Sequence, residues 1–149
     1  GCNGSPPRDG SAYHDTIKLS QFRIGEYTRS KGYAPNGNLP FISSYTNLGA
    51  YWLAINANAT LYQKLVPVCY GGIFAASVEN LYKQDMNMYK KIQESLTRGD
   101  NIEEGHFVER SWAALLSNPL EPLQIDAIQN YSTGIRGNPM RGMLTRKNS

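Results

Sequence analysis

Val66-Pro67-Val68-Cys69-Tyr70-Gly71-Gly72-Ile73-Phe74-Ala75-Ala76-Ser77 is an apolar run, followed after a helical segment by Glu103-Glu104-Gly105-His106-Phe107-Val108-Glu109-Arg110-Ser111-Trp112. The first stretch reads as a strand whose paired glycines let something approach the backbone closely. Pro67 withholds a ladder donor, which places that strand at a sheet edge or makes Pro67 its start. The second stretch crowds acids, an imidazole and an indole together. Strand, long helix and charged helix in this order predict an α/β domain, a small mixed sheet with packed helices. Any chemistry the chain performs is expected here.

Between the two stretches, Ser77 is suited to cap a helix, and Glu79 sits in the first turn, where the helix dipole favours an acid. Val78, Tyr82, Tyr89, Ile92 and Leu96 recur along one side, so the spacing predicts a single helix ending at Arg98-Gly99. A further helix is expected from Asp100, with Glu103 reaching back as in a capping box. Its predicted buried stripe is Val108, Trp112, Leu115 and Leu116, and Asn118-Pro119 stops it. At about 100° per residue from Val108, Glu109 falls at the stripe's border and Arg110 near 200°, away from the core. A carboxylate at such a border is either half of a structural ion pair or a desolvated general base. His106 with Glu103 and Glu104 reads as a solvent-facing first turn. Alternatively, His106 and a carboxylate hold a divalent ion whose shell is completed by water and substrate phosphate.

Outward from this centre, residues 1–12 are turn-rich, and Tyr13, Ile17, Ile24 and Tyr27 fit a helical stripe that Leu19 and Phe22 leave, with Gly32 ending the helix. Asn36-Gly37 marks a loop. The aromatic-rich segment from Phe41 to Ile55 is expected inside, as core packing in preference to a sugar-stacking platform. Leu123 to Ile128 suggests one or two helical turns, and the glycines beyond argue for an irregular tail. The expected organisation is one domain over 1–131 and a basic tail over 132–149, where Arg136, Arg141, Arg146 and Lys147 stand without an acid. Such arginines are solvated, or they neutralise phosphates or an acidic protein partner.

At 149 residues the chain suits one domain. No apolar run approaches the roughly 18 residues of a membrane span, and no nucleic-acid partner is expected. Cys2 and Cys69 permit one disulfide and exclude a cysteine-based zinc knuckle. Sequons at Asn3, Asn58 and Asn130 are compatible with the secretory-pathway lumen (Golgi or endoplasmic reticulum) or the extracellular space, with an organellar complex as the alternative. The opening residues have a loop composition in place of a signal peptide's basic head and apolar core, so a longer precursor is expected.

The order Cys69-Tyr70-Gly71-Gly72-Ile73-Phe74-Ala75, helix, Glu104-Gly105-His106-Phe107-Val108-Glu109-Arg110-Ser111-Trp112 resembles the C-terminal, acceptor-side half of glycosyltransferases with the A-type nucleotide-sugar fold. It is most similar to a glycosyltransferase-like family of fungi, algae and large viruses. The resemblance covers Pro67 to Ser117 and implies sugar transfer from a nucleotide-sugar donor to a glycan or protein acceptor. It implies that Tyr70, Gly71, Gly72 and Trp112 line the sugar cleft and that Glu109 or Glu104 is the base. His106 then contacts a metal, Mg or Mn, or the diphosphate. No Asp-x-Asp metal motif occurs in this chain. The resemblance therefore implies either an enzyme whose nucleotide-binding half lies elsewhere, or a trimmed fold reused as a non-catalytic structural or interaction subunit of a larger assembly.

Overall fold

The computed structural model describes residues 13–24, 41–72, 74–99 and 102–134. Two short strands, β1 (Tyr13–Asp15) and β2 (Leu65–Pro67), pair antiparallel with His14 opposite Val66. Around them lie α1 (Thr16–Ser20), α2 (Leu48–Ala54), α3 (Asn58–Leu61), α4 (Val78–Tyr82), α5 (Met86–Ser95), α6 (Glu103–Leu115) and α7 (Pro122–Gly134). The architecture is α/β. Its sheet, however, is antiparallel among the described residues, where a mixed sheet was expected, and these residues do not form a glycosyltransferase fold.

The predicted strand from Val66 ends at Pro67, and the chain enters a 3-10 turn at Tyr70–Gly72. Gly71 takes φ 80°, a left-handed conformation that side chains resist. Tyr13–Asp15 is strand, not the start of a helix, because Asp15 caps α1 by accepting from the Lys18 amide at 2.9 Å. Leu19 is buried and Ile17 exposed, which inverts the expected stripe. The end expected at Gly32 lies outside the described residues.

The single helix expected after Ser77 is two. Ser77 does cap α4 through the Asn80 amide, but Asp85 takes an extended conformation and caps α5 through the Asn87 amide at 2.9 Å. Val78 and Tyr82 lie in solvent, and α5 inserts only Met88 and Ile92. At the other end, α7 runs to Gly134, longer than the one or two turns expected over Leu123 to Ile128; residues 135–149 lie outside the described residues.

The core is where α2, α5 and α6 meet β2. Leu48, Tyr51 and Trp52 of the segment expected inside are fully buried, as are Val66 and Phe107, whereas Ile42 and Leu53 of that segment are exposed. Its two polar aromatics are satisfied within that core: Trp52 Nε1 donates to Ser111 Oγ at 2.8 Å, and the Tyr51 hydroxyl meets Ser95 Oγ at 2.9 Å. Gly49 lets α1 approach α2, since a Cβ there would stand 3.0 Å from Ser20 Cβ.

Candidate functional site

The phase of α6 decides which of its charged residues can act. Its buried positions include Glu104, Phe107, Val108, Ser111, Ala114 and Leu115, so the stripe is rotated from the predicted one by the inclusion of Phe107 and Ser111. Centred on those residues, Arg110 lies roughly 90° away and Glu109 nearly opposite. The expected positions are exchanged. Arg110 flanks the core with 14 % of its side chain exposed, whereas Glu109, 26 % exposed, lies on the far side, where the Tyr70–Gly72 turn packs.

The first turn of α6 does not face solvent. Glu103 is fully buried, its Oε1 accepting from the Ile24 amide at 2.9 Å and its Oε2 from the Ser43 amide at 2.8 Å. Its own amide donates to the Phe41 carbonyl, and Ile102 stands at the cap position without a side-chain bond. Asp100 lies outside the described residues. Glu104 is buried as well; it accepts from the Ser43 hydroxyl at 2.8 Å and pairs with Arg98, which also reaches the Phe41 carbonyl. Glu104 is therefore enclosed by protein donors, and a base that must meet a substrate hydroxyl is poorly served by such burial.

Glu109 is differently placed. Its Oε1 accepts from the Gly71 amide at 2.6 Å, and its Oε2 accepts from Arg110 Nη1 at 2.8 Å. His106 Nδ1 stands 3.9 Å from the same Oε2, beyond a hydrogen bond. Burial first, and then the Arg110 cation, hold the His106 imidazole below its usual pKa, while Glu109 and Glu103 pull it upward more weakly. Tyr70, Gly71, His106 and Glu109 thus come together. Gly72 closes the same turn. Trp112 points elsewhere and stacks on Phe74 with ring centroids 6.0 Å apart.

The Glu109 oxygen nearest the His106 imidazole is paired with the Arg110 guanidinium. Among the described residues no group of three or more His, Cys, Asp or Glu side chains gathers to hold a metal ion.

Arg110 was placed in solvent by the sequence reading, and the structure puts it between aromatic rings. Its guanidinium carbon lies 4.0 Å from the Phe22 centroid and 5.2 Å from that of Tyr70. Phe22, one of the two residues that leave the first predicted stripe, packs between Phe107 and Arg110. Beside this stack opens a cleft of about 300 Å³ lined by His14, Lys18, Leu19, Gln21, Phe22, Tyr70 and Arg110. Cys69, next to the turn, is buried and disulfide-bonded, so no cysteine is free among the described residues; Cys2 lies outside them. No described helix is long and apolar enough to cross a membrane. Comparison with family models, with curated proteins and with solved structures returns no match to this chain.

Proposed function

We propose that the chain is the acceptor-side part of a sugar-transferring enzyme that uses a nucleotide-sugar donor, with Glu109 as general base. The observation that carries this reading is the 2.6 Å bond from the Gly71 amide to Glu109, which joins the two segments on which the resemblance rests. In the transfer, the acceptor oxygen bonds to the anomeric carbon of the donor sugar while its proton passes to Glu109. The bond from that carbon to the diphosphate breaks, and the nucleoside diphosphate leaves with its electron pair. Each carboxylate oxygen has two acceptor positions, so one bond on each leaves a place for the acceptor hydroxyl. The disulfide at Cys69 supports maturation in the secretory-pathway lumen or outside the cell.

The second reading is a non-catalytic subunit in which Glu109 is a tether between turn and helix; the Arg110 pairing at 2.8 Å favours it. Glu109→Gln separates the two. The amide oxygen still accepts from Gly71, so the transferase reading expects a thermal midpoint within a few degrees of the parent. Transfer from nucleotide sugars, assayed with Mg²⁺ or Mn²⁺, then falls by about 10²–10⁴. Absence of donor binding by titration calorimetry, together with a strongly lowered midpoint, would leave the tether alone.

A further inference from the structure

The cleft beside α1 adjoins the Gly71–Glu109 contact through Tyr70 and Arg110 but includes neither Gly71 nor Glu109, and its chemistry points in one direction. Lys18 contributes an exposed ammonium with no carboxylate partner among the described residues. Arg110 makes both of its hydrogen bonds from Nη1, to Glu109 and to the His106 carbonyl, so its Nη2 and Nε groups have no acceptor among the described residues. The rings of Phe22 and Tyr70 cover the guanidinium and restrict its motion. Tyr70 offers a hydroxyl that shares a 3.3 Å contact with His14 Nε2, and Gln21 lines the same wall. The side chains lining the cleft include no carboxylate. Two cations, a phenol and an amide around about 300 Å³ match a small organic anion, and this volume is at the low end for ligand pockets, about 300–1,000 Å³.

We infer that this cleft binds the phosphate group of a small phosphorylated ligand, with Arg110 and Lys18 as its charge partners and Tyr70 as a hydroxyl donor. A phosphate suits it better than a neutral sugar. The two unused N–H groups of a planar guanidinium present a fork that phosphate oxygens accept, and a nearby ammonium adds a point charge. The site stands on its own cations, so it holds under either reading of Glu109. The phosphate has two sources, a sugar phosphate or a nucleoside diphosphate such as the transfer would release.

Titration calorimetry of the full chain against glucose 1-phosphate, UDP, inorganic phosphate and glucose tests this. We expect at least one phosphate ligand to bind one-to-one, glucose not to bind, and affinity to weaken as salt rises. Lys18→Ala, an exposed change that spares the fold, should weaken binding about 5- to 10-fold, and Tyr70→Phe by a smaller factor. Arg110→Lys keeps the charge and loses the fork, so it should weaken binding further; its folding is checked by circular dichroism. Tighter binding of glucose 1-phosphate assigns the cleft to a sugar phosphate, and tighter binding of UDP assigns it to the diphosphate. Phosphate binding unchanged in Lys18→Ala, equal binding of glucose, or no binding by any phosphate ligand would overturn the inference. Failure of transfer with intact glucose 1-phosphate binding would count against the transferase reading alone.

Discussion

Glu103 places a carboxyl group at a position with no exposure, and its two oxygens hold two separate chain segments by their amides, at Ile24 and Ser43. Both partners are backbone groups of non-helical segments, which otherwise lack ladder bonds, so one side chain stands in for secondary structure. Glutamine has the same shape but only one acceptor oxygen. Whichever way its amide turns, one backbone N–H meets an NH₂ group. We therefore expect Glu103→Gln to destabilise by about 1–3 kcal/mol, an unsatisfied buried donor being the dominant part. The thermal midpoint should fall by several degrees. An unchanged midpoint would show that the two amides are not held by this carboxylate.

At the level of the helices, the loss between sequence and structure is one of phase and continuity more than of kind. The aromatic segment was readable as core because Tyr51 and Trp52 have little alternative to burial in a chain this size. The convergence of Gly71 with Glu109 was not readable, since no local pattern says that a turn near residue 71 lies on a helix 38 residues later. The predicted stripe of α6 includes Trp112, which is only partly buried at the edge of the core beside Phe74, and omits Phe107, which is fully buried. Buried Glu103 and Glu104 were unreadable, as acids enter a core only when tertiary partners supply donors. The break between α4 and α5 did leave a local trace in Asp85, a good cap residue just before Met86. Asp85→Ala should cost about 1 kcal/mol of stability by removing the bond to the Asn87 amide. Helix content by circular dichroism should change little, whereas denaturant midpoints should fall; unchanged midpoints would show that the cap contributes nothing.

For the whole molecule, two features outside the candidate site set the conditions under which the fold persists. The first is Tyr51, whose hydroxyl burial lifts its pKa from 10.0 to about 12 against the opposing bond from Ser95. Below pH 10 both folded and unfolded chains keep the proton. Between about 10 and 12 the unfolded chain loses it first, so stability is full below pH 10 and declines across that window. Two units correspond to at most about 3 kcal/mol. Tyr51→Phe should lower stability slightly at neutral pH and flatten the alkaline decline, as read by denaturant midpoints from pH 8 to 12; an equally steep decline in Tyr51→Phe would assign it to other groups.

The second is the disulfide at Cys69, which fastens the chain where β2 gives way to the turn that carries Gly71. Cys2 is the other cysteine in the sequence, and a bond to it would enclose β1, α1, α2, α3 and β2 in one loop. Closing a loop of roughly 67 residues is worth about 4 kcal/mol in the chain-entropy model. Reduction should therefore add the mass of two hydrogens and lower the thermal midpoint by roughly 10 °C. The effect should also be uneven across the fold. The Gly71 amide, bonded to Glu109 and only two residues from Cys69, should exchange with solvent faster after reduction, because local opening there no longer has to move a cross-linked segment. Amides in the middle of α6, tied by Phe107 and Ser111 into the core, should keep their protection until global unfolding. Hydrogen exchange with and without dithiothreitol reads both groups of amides at once. Equal acceleration in α6 and at Gly71 would mean that the disulfide acts on the unfolded chain alone and does not brace the turn on which Glu109 depends.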